Sequence, residues 1–178
     1  MRKLMYILFG LLGSINVLQA ANVANDADHL KASLAEIKNF HFVSENLASS
    51  GMLDFKKYKE IEQYGFKHVI NLIPGLQIKE RRVVEKLGMS YEQIPVDWGQ
   101  PKLEDFQRFV TLMKTYGDDE VYVHCQLNWR AASFVYLYRV TQLGVSKEIA
   151  EKDLKAIWNP HDGWDEYIKL VLDAYSKS

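Results

Sequence analysis

The chain has 178 residues, of which 48% are hydrophobic and 25% charged, with a formal net charge of −1. That balance fits one globular domain with a core of ordinary size and excludes a disordered or fully membrane-embedded chain. No basic tail or patch is visible, so nucleic acid is excluded as the expected partner.

The N-terminus reads differently from the rest. "MRKLMYILFGLLGSINVLQA" opens on Arg2 and Lys3, runs apolar from Leu4 to Leu12, then turns small and polar towards Ala20 and Ala21. This is the three-part plan of a secretory signal peptide over residues 1–21, too short and interrupted to span a membrane comfortably. The expected mature chain, 22–178, therefore works in the periplasm or outside a bacterial cell, with no stable membrane span. Without Arg2 and Lys3 it keeps 20 of the 22 Lys and Arg against 23 Asp and Glu.

Along this mature chain, "NFHFVSENLASSG" (39–51) alternates and breaks at Gly51, as a short edge strand or hairpin does. Phe55, Tyr58 and Ile61 share a helical face over 54–65, ended by Gly65. "FKHVINLI" (66–73) is a buried-strand pattern stopped by Pro74-Gly75, and an amphipathic helix follows over 76–88. A short strand is expected over 90–96. The segment 101–117 is a strong helix, with Pro101 suited to its first turn and Leu103, Phe106, Val110 and Met113 on one face. "EVYVHC" (120–125) is an apolar strand of the kind found inside parallel sheets. Helices are expected over 130–144, 146–158 and 164–176. The alternation predicts an α/β domain with a mostly parallel central sheet flanked by helices.

Cys125 is the sole cysteine. In an exported chain it cannot close an internal disulfide, which leaves a buried structural thiol, an intermolecular bridge or a reactive thiol. Its position decides. Ligands of parallel sheets bind beyond the carboxyl ends of strands, and Cys125 stands where a strand hands over to a helix. Between it and Arg130, the residues Gln126, Leu127, Asn128 and Trp129 must turn sharply. Their amides form an anion-binding nest at the positive end of the helix, a field that also favours a thiolate. Arg130 adds a planar fork suited to two phosphate oxygens. Asn128 is the residue expected at positive φ. His124, on the strand, is given a supporting role without proton transfer. Trp129 either lines the rim or anchors the loop.

These residues carry a resemblance. "VHCQLNWRAAS" resembles the signature loop of cysteine-dependent protein phosphatases, in the compact dual-specificity-like branch found in bacteria. "NFHFVSENLASSGM", "GFKHVINLIPG" and "IPVDWGQPKLEDF" resemble that family's entry strand, core strand and acid loop, so the likeness covers nearly all of the mature chain. It implies a compact dual-specificity-phosphatase-like fold and a metal-independent phosphatase forming a phosphocysteine intermediate. Cys125 would be the nucleophile, Arg130 the phosphate clamp and Asp97 the general acid, on a loop bounded by Pro95 and Gly99 that could move. The expected substrate is phosphotyrosine or a related phosphorylated protein or small phosphoester, with phosphoserine, a phosphoinositide and an envelope sugar phosphate all open at this point. Two departures stand out. The loop is Cys-x4-Arg, one residue shorter than usual. Ala131 replaces the usual hydroxyl, with Ser133 the nearest substitute.

Two other functions remain open at this point. The loop length matches rhodanese-like sulfurtransferases, and the missing hydroxyl fits a non-catalytic phosphate-binding module. Trp98 either walls the substrate or packs, and Asp105 is read as a helix-terminal carboxylate. "NPHDG" (159–163) reads as a turn. The five histidines show no metal-ligand spacing, so neither a metal nor another cofactor is expected. The chain is expected to act as a monomer.

Overall fold

The computed structural model describes residues 27–176. The signal-peptide expectation over residues 1–21 lies outside them. After a helix over 27–35 (α1) come β1 His41–Ser44, β2 Leu47–Ser50, a 3-10 turn Phe55–Lys57 and α2 Tyr58–Tyr64. Then follow β3 His68–Asn71, α3 Ile78–Lys86, β4 Ser90–Gln93, α4 Leu103–Tyr116 and β5 Val121–His124. The chain closes with α5 Trp129–Thr141, α6 Lys147–Ile157 and α7 Trp164–Ser176. Among the described residues no helix is long and apolar enough to cross a membrane.

The sheet has five strands in the order β1-β2-β5-β3-β4, and only β1 runs antiparallel, in a hairpin with β2. This is the expected α/β architecture with a mostly parallel sheet. The 39–51 segment forms the expected hairpin, and of its two strands only β1 lies at an edge of the sheet. β2 sits inside the sheet against β5, with all four residues buried. α1 was not among the expected elements, although Leu30, Leu34 and Ile37 follow i, i+4, i+7 through and beyond it. Pro101 lies one residue before the N-cap Lys102, outside the helix rather than in its first turn.

Side chains alternate across a strand. Ile70 of β3 and Val121 and Val123 of β5 therefore enter one core, with Phe106 and Phe109 of α4, α5, and Trp164 and Val171 of α7. Val69 and Tyr122 enter a second core on the opposite face, with Leu34 of α1, Tyr58 and Ile61 of α2 and Val84 of α3. Every residue of α5 from Arg130 to Tyr138 is buried. A helix buried all round is the spine of its layer, and α4, α6 and α7 pack about it. Ends are set locally: Gly65 takes φ 115° after α2, and the Ser146 hydroxyl accepts the Ile149 N–H at 3.4 Å before α6.

Gly51 joins β2 to the loop after β5 by an isolated bridge to Leu127. Its amide donates to the Lys38 carbonyl at 2.7 Å, and the next amide, Met52, donates to the Gln126 carbonyl at 3.1 Å. A Cβ at Gly51 would stand 3.0 Å from both the Gln126 and Lys38 carbonyl oxygens. Both are backbone atoms and cannot swing aside. Gly51→Ala is therefore expected to destabilise the fold by about 1–3 kcal/mol, read by denaturant unfolding; an unchanged midpoint would show that the approach is looser than it stands.

Candidate active site

β5 ends at His124, and the chain passes through Cys125–Asn128 into α5. Asn128 takes φ 66°, ψ 5°, the left-handed conformation expected of it. Its side chain does not cap α5. Instead its Nδ2 donates to the Asn39 carbonyl at 2.6 Å, while Asn39 Nδ2 donates to the Leu127 carbonyl at 2.9 Å. Asn39 is itself at φ 51°. Two left-handed asparagines thus clasp each other and brace the loop from outside. Because the Gln126 carbonyl turns out to meet Met52, the trans peptide turns the Leu127 N–H the opposite way. The first amides of α5 likewise have no acceptor earlier in their helix.

This loop forms the floor of a cavity of about 210 Å³ lined by Trp98, Cys125, Gln126, Leu127, Trp129 and Arg130. Four of the expected loop and nucleophile positions and Arg130 thus meet in one place. Arg130 is only 7% exposed, and its Nε is buried without a hydrogen-bond partner. Among the described residues no carboxylate pairs with it; its guanidinium lies 5.7 Å from the Trp98 ring centre. A buried cation lacking a counter-ion is costly, and an anion in this cavity would offset that cost. No three His, Cys, Asp or Glu side chains among the described residues converge to hold a metal ion.

The other candidates stand further out. Asp97 is exposed and does not line the cavity. Its Oδ1 accepts the amides of Gly99 and Gln100, each at 2.9 Å, which leaves Oδ2 free. Its neighbour Trp98 both walls the cavity and packs. All four tryptophans gather here: Trp98 lies 5.3–5.6 Å from Trp129, Trp158 and Trp164, and Trp129 stacks on Trp158 at 5.1 Å and 4°. Trp129 therefore does both things open to it. The Trp164 indole N–H donates to the Trp98 carbonyl at 3.1 Å, which ties down a loop whose Pro95 and Gly99 suggested mobility. Ser133 is fully buried and spends its hydroxyl on the Trp129 carbonyl at 2.9 Å. Asp105 accepts the Lys102 N–H at 3.1 Å as a helix-terminal carboxylate. Asp162 and Gly163 have positive φ, 54° and 86°, so "NPHDG" is a turn.

Behind the loop lies a buried polar network that the sequence reading missed. Glu80 of α3 accepts from Tyr58 Oη at 2.7 Å and from His124 Nε2 at 2.6 Å, and Asn71 Nδ2 reaches both its oxygens at 3.0 Å. Burial opposes the Glu80 charge, but the His124, Tyr58 and Asn71 bonds outweigh it and hold the carboxyl below the usual range. One signal was available. Glu80, Val84 and Leu87 follow i, i+4, i+7, so a charge stands on the apolar stripe of its helix.

No protein-family model and no curated protein matches the sequence. Solved structures do. The DUF442 phosphatase-like protein of Shewanella putrefaciens CN-32 is 30% identical with a TM-score of 0.71, over 80% of this chain and 96% of that one. The core catalytic domain of the PP-IP phosphatase Siw14 from S. cerevisiae is 13% identical with a TM-score of 0.65, over 76% and 86% of the two chains. P. aeruginosa TpbA, bound to phosphotyrosine, is 16% identical with a TM-score of 0.56, over 71% and 74%. The last two share the fold alone. With the first likeness spanning almost the whole Shewanella chain, and with the loop from Cys125 to Arg130 at the head of α5, this chain belongs to the DUF442 group of dual-specificity-like cysteine phosphatases.

Proposed function

We propose that the protein is a metal-independent phosphatase that hydrolyses phosphate monoesters through a phosphocysteine intermediate, with phosphotyrosine or a similar aryl phosphate as its substrate. The observation that carries this reading is Arg130, buried, without a carboxylate partner, and lining the same cavity as Cys125. In the first step the Cys125 thiolate attacks phosphorus, the ester P–O bond breaks, and Asp97 gives its proton to the departing oxygen. In the second, water attacks phosphorus, Asp97 takes a proton from it, the S–P bond breaks and inorganic phosphate leaves. Arg130 and the loop amides hold the phosphoryl oxygens in both steps. With Oδ1 anchored by Gly99 and Gln100, Oδ2 is the oxygen that carries the proton. To reach the leaving group, the Asp97 side chain turns towards the cavity and gives up its bonds from Gly99 and Gln100.

The aryl preference rests on the walls. Trp98, Leu127 and Trp129 are apolar, and the polar lining groups are Cys125, Gln126 and Arg130, at or beside the floor. A flat ring packs against indoles and gains about 0.5–1.5 kcal/mol beyond its buried area. Sugar or inositol hydroxyls against the same walls would lose water without gaining partners.

With aryl phosphates and the purified protein, Cys125→Ser is expected to abolish turnover, and Asp97→Asn to slow it about 10²–10⁴-fold. Undiminished hydrolysis by the serine variant would sink the mechanism. Sulfur transfer from thiosulfate outpacing phosphate release, or tight phosphoester binding without turnover, would replace it. For specificity, a phosphotyrosine peptide should exceed the matching phosphoserine peptide in kcat/KM, with Trp98→Ala cutting that ratio about tenfold; equal loss on both peptides would show that the indole merely supports the loop. The export signal read at 1–21 puts the reaction in the periplasm or outside the cell. N-terminal sequencing of protein from a bacterial host should find a chain starting near residue 22, and an intact Met1 would overturn that location.

A further inference from the structure

Exposed apolar side chains gather at one end of the molecule. Of the large ones among the described residues, Met52, Phe55, Leu76 and Ile78 follow β2 and β3, while Leu143, Ile149 and Leu170 lie on or beside the helices of the α5 layer. β2 and β3 flank β5 in the sheet. The three strands end at one level: the Cys125 N–H donates to the Ser50 carbonyl at 3.2 Å, and the Leu72 N–H to the His124 carbonyl at 2.9 Å. The segments carrying the four residues therefore leave the sheet on either side of the Cys125 loop. Met52 gives its amide to Gln126, which lines the cavity. Phe55 and Ile78 are brought together by the helices they open. Tyr58, one turn after Phe55, bonds Glu80, two residues after Ile78, at 2.7 Å.

Cations accompany them. Lys56, Lys59, Lys79 and Arg82 are exposed and have no carboxylate partner among the described residues, whereas Lys57 pairs with Glu60 and Arg81 with Glu85. Asp54 is exposed in the same stretch, with its Oδ1 taken by the Lys56 N–H at 2.8 Å. We propose that this end of the molecule docks on an anionic bilayer surface. Met52, Phe55, Leu76 and Ile78 enter the interface, the four unpaired cations lie at headgroup level, and the cavity opens towards phosphoesters held at that surface. The fit rests on projection and on sign. None of the four apolar residues lines the cavity. Leu76 is 88% exposed, beside Gly75 at φ 87°. A bound peptide is held by a groove or by pockets for its side chains. Side chains that project singly, with Lys and Arg beside them, instead suit an interface they enter one by one. Such docking is peripheral and needs no membrane-spanning helix. It holds whether or not Cys125 is the nucleophile.

Sedimentation with vesicles tests this without turnover. Chains starting at residue 22 are used, so that the apolar run from Leu4 to Leu12 adds nothing to binding; both cores draw on residues from Leu34 onwards. Vesicles of phosphatidylglycerol with phosphatidylethanolamine should carry the protein down at low salt, and vesicles of phosphatidylcholine much less of it. Leu76→Ser combined with Ile78→Ser is expected to weaken binding about tenfold. Lys56→Glu combined with Lys79→Glu should weaken it as much and flatten its salt dependence. Leu170→Ser, on α7 and 52% exposed in the unaltered protein, should leave it unchanged. Hydrolysis of a soluble aryl phosphate should survive in all three, since none of the substituted residues lines the cavity. No binding to the anionic vesicles, or an equal loss with Leu170→Ser, would overturn the proposal while leaving the phosphatase reading intact. Vesicle binding without hydrolysis would do the reverse. Lost kcat/KM on phosphotyrosine peptides with apolar flanks in the Leu76 and Ile78 variant, without vesicle binding by the unaltered protein, would overturn it in favour of a peptide surface.

Discussion

Side chains on a strand must alternate, and the last turn of that alternation on β5 divides the site in two. Val121 and Val123 face the core built on α5, and Tyr122 faces the other. Continued for two residues, the same period sends His124 back towards α2 and α3 and Cys125 towards α5 and the cavity. The dipeptide therefore reaches through the sheet. One residue meets the cavity and the other meets a buried carboxylate, with a single peptide bond between them. A register slip of one residue in β5 would exchange these environments. β5 is held against it by parallel partners on both sides, β2 and β3.

The short loop is sustained by contacts from outside it. A span of four residues between Cys125 and Arg130 has little freedom to find its own shape, and the scaffold supplies the shape. Gly51 lets β2 approach so closely that only hydrogen fits, and Met52 turns the Gln126 carbonyl outward. The Asn128 side chain then donates to the Asn39 carbonyl across 89 residues of sequence. Left-handed backbone costs a non-glycine residue free energy, about 1 kcal/mol or more. Here the two strained residues each donate to a backbone carbonyl of the other's segment, so the strain is offset where it arises.

What was legible in the sequence follows from range. The strands and helices announce themselves within windows of about a dozen residues, and each expected element is present, trimmed by a few residues at its ends. Cys125, the loop and Arg130 are contiguous, so their meeting was legible too, as was the left-handed Asn128. The clasp from Asn39 was not, because nothing near Asn39 points to residue 128. Pro101 was placed two positions too deep, since its ring suits the residue before a cap as well as the first turn. Glu80 was passed over because a glutamate in a charged helix reads as surface; only the stripe it shares with Val84 sets it apart. α1 was passed over although Leu30, Leu34 and Ile37 share a helical face, and it is held further by Ser33, whose hydroxyl donates to Glu60 and accepts from Lys57.

The tryptophans connect the Asp97 loop to the loop from Cys125 to Arg130, and this bears on how the acid proposed at Asp97 can be placed well enough to act. Trp98 adjoins Asp97; Trp129 lies within the loop from Cys125; Trp158 and Trp164 flank the turn between α6 and α7. Their rings interlock, and the Trp164 N–H fixes the Trp98 carbonyl. A shift of either loop must therefore break aromatic contacts shared with the other. Asp97 stays exposed, yet its backbone is tied to the rings that wall the cavity, and its Oδ1 is pinned by two amides. The motion it needs is a rotation of its own side chain that releases those two bonds, which is far less to organise at the moment of reaction than the closure of a mobile flap. In the proposed reaction this is the use of bulk at Trp129. A smaller residue would satisfy the loop, but only a large flat one reaches Trp98 and Trp158 together.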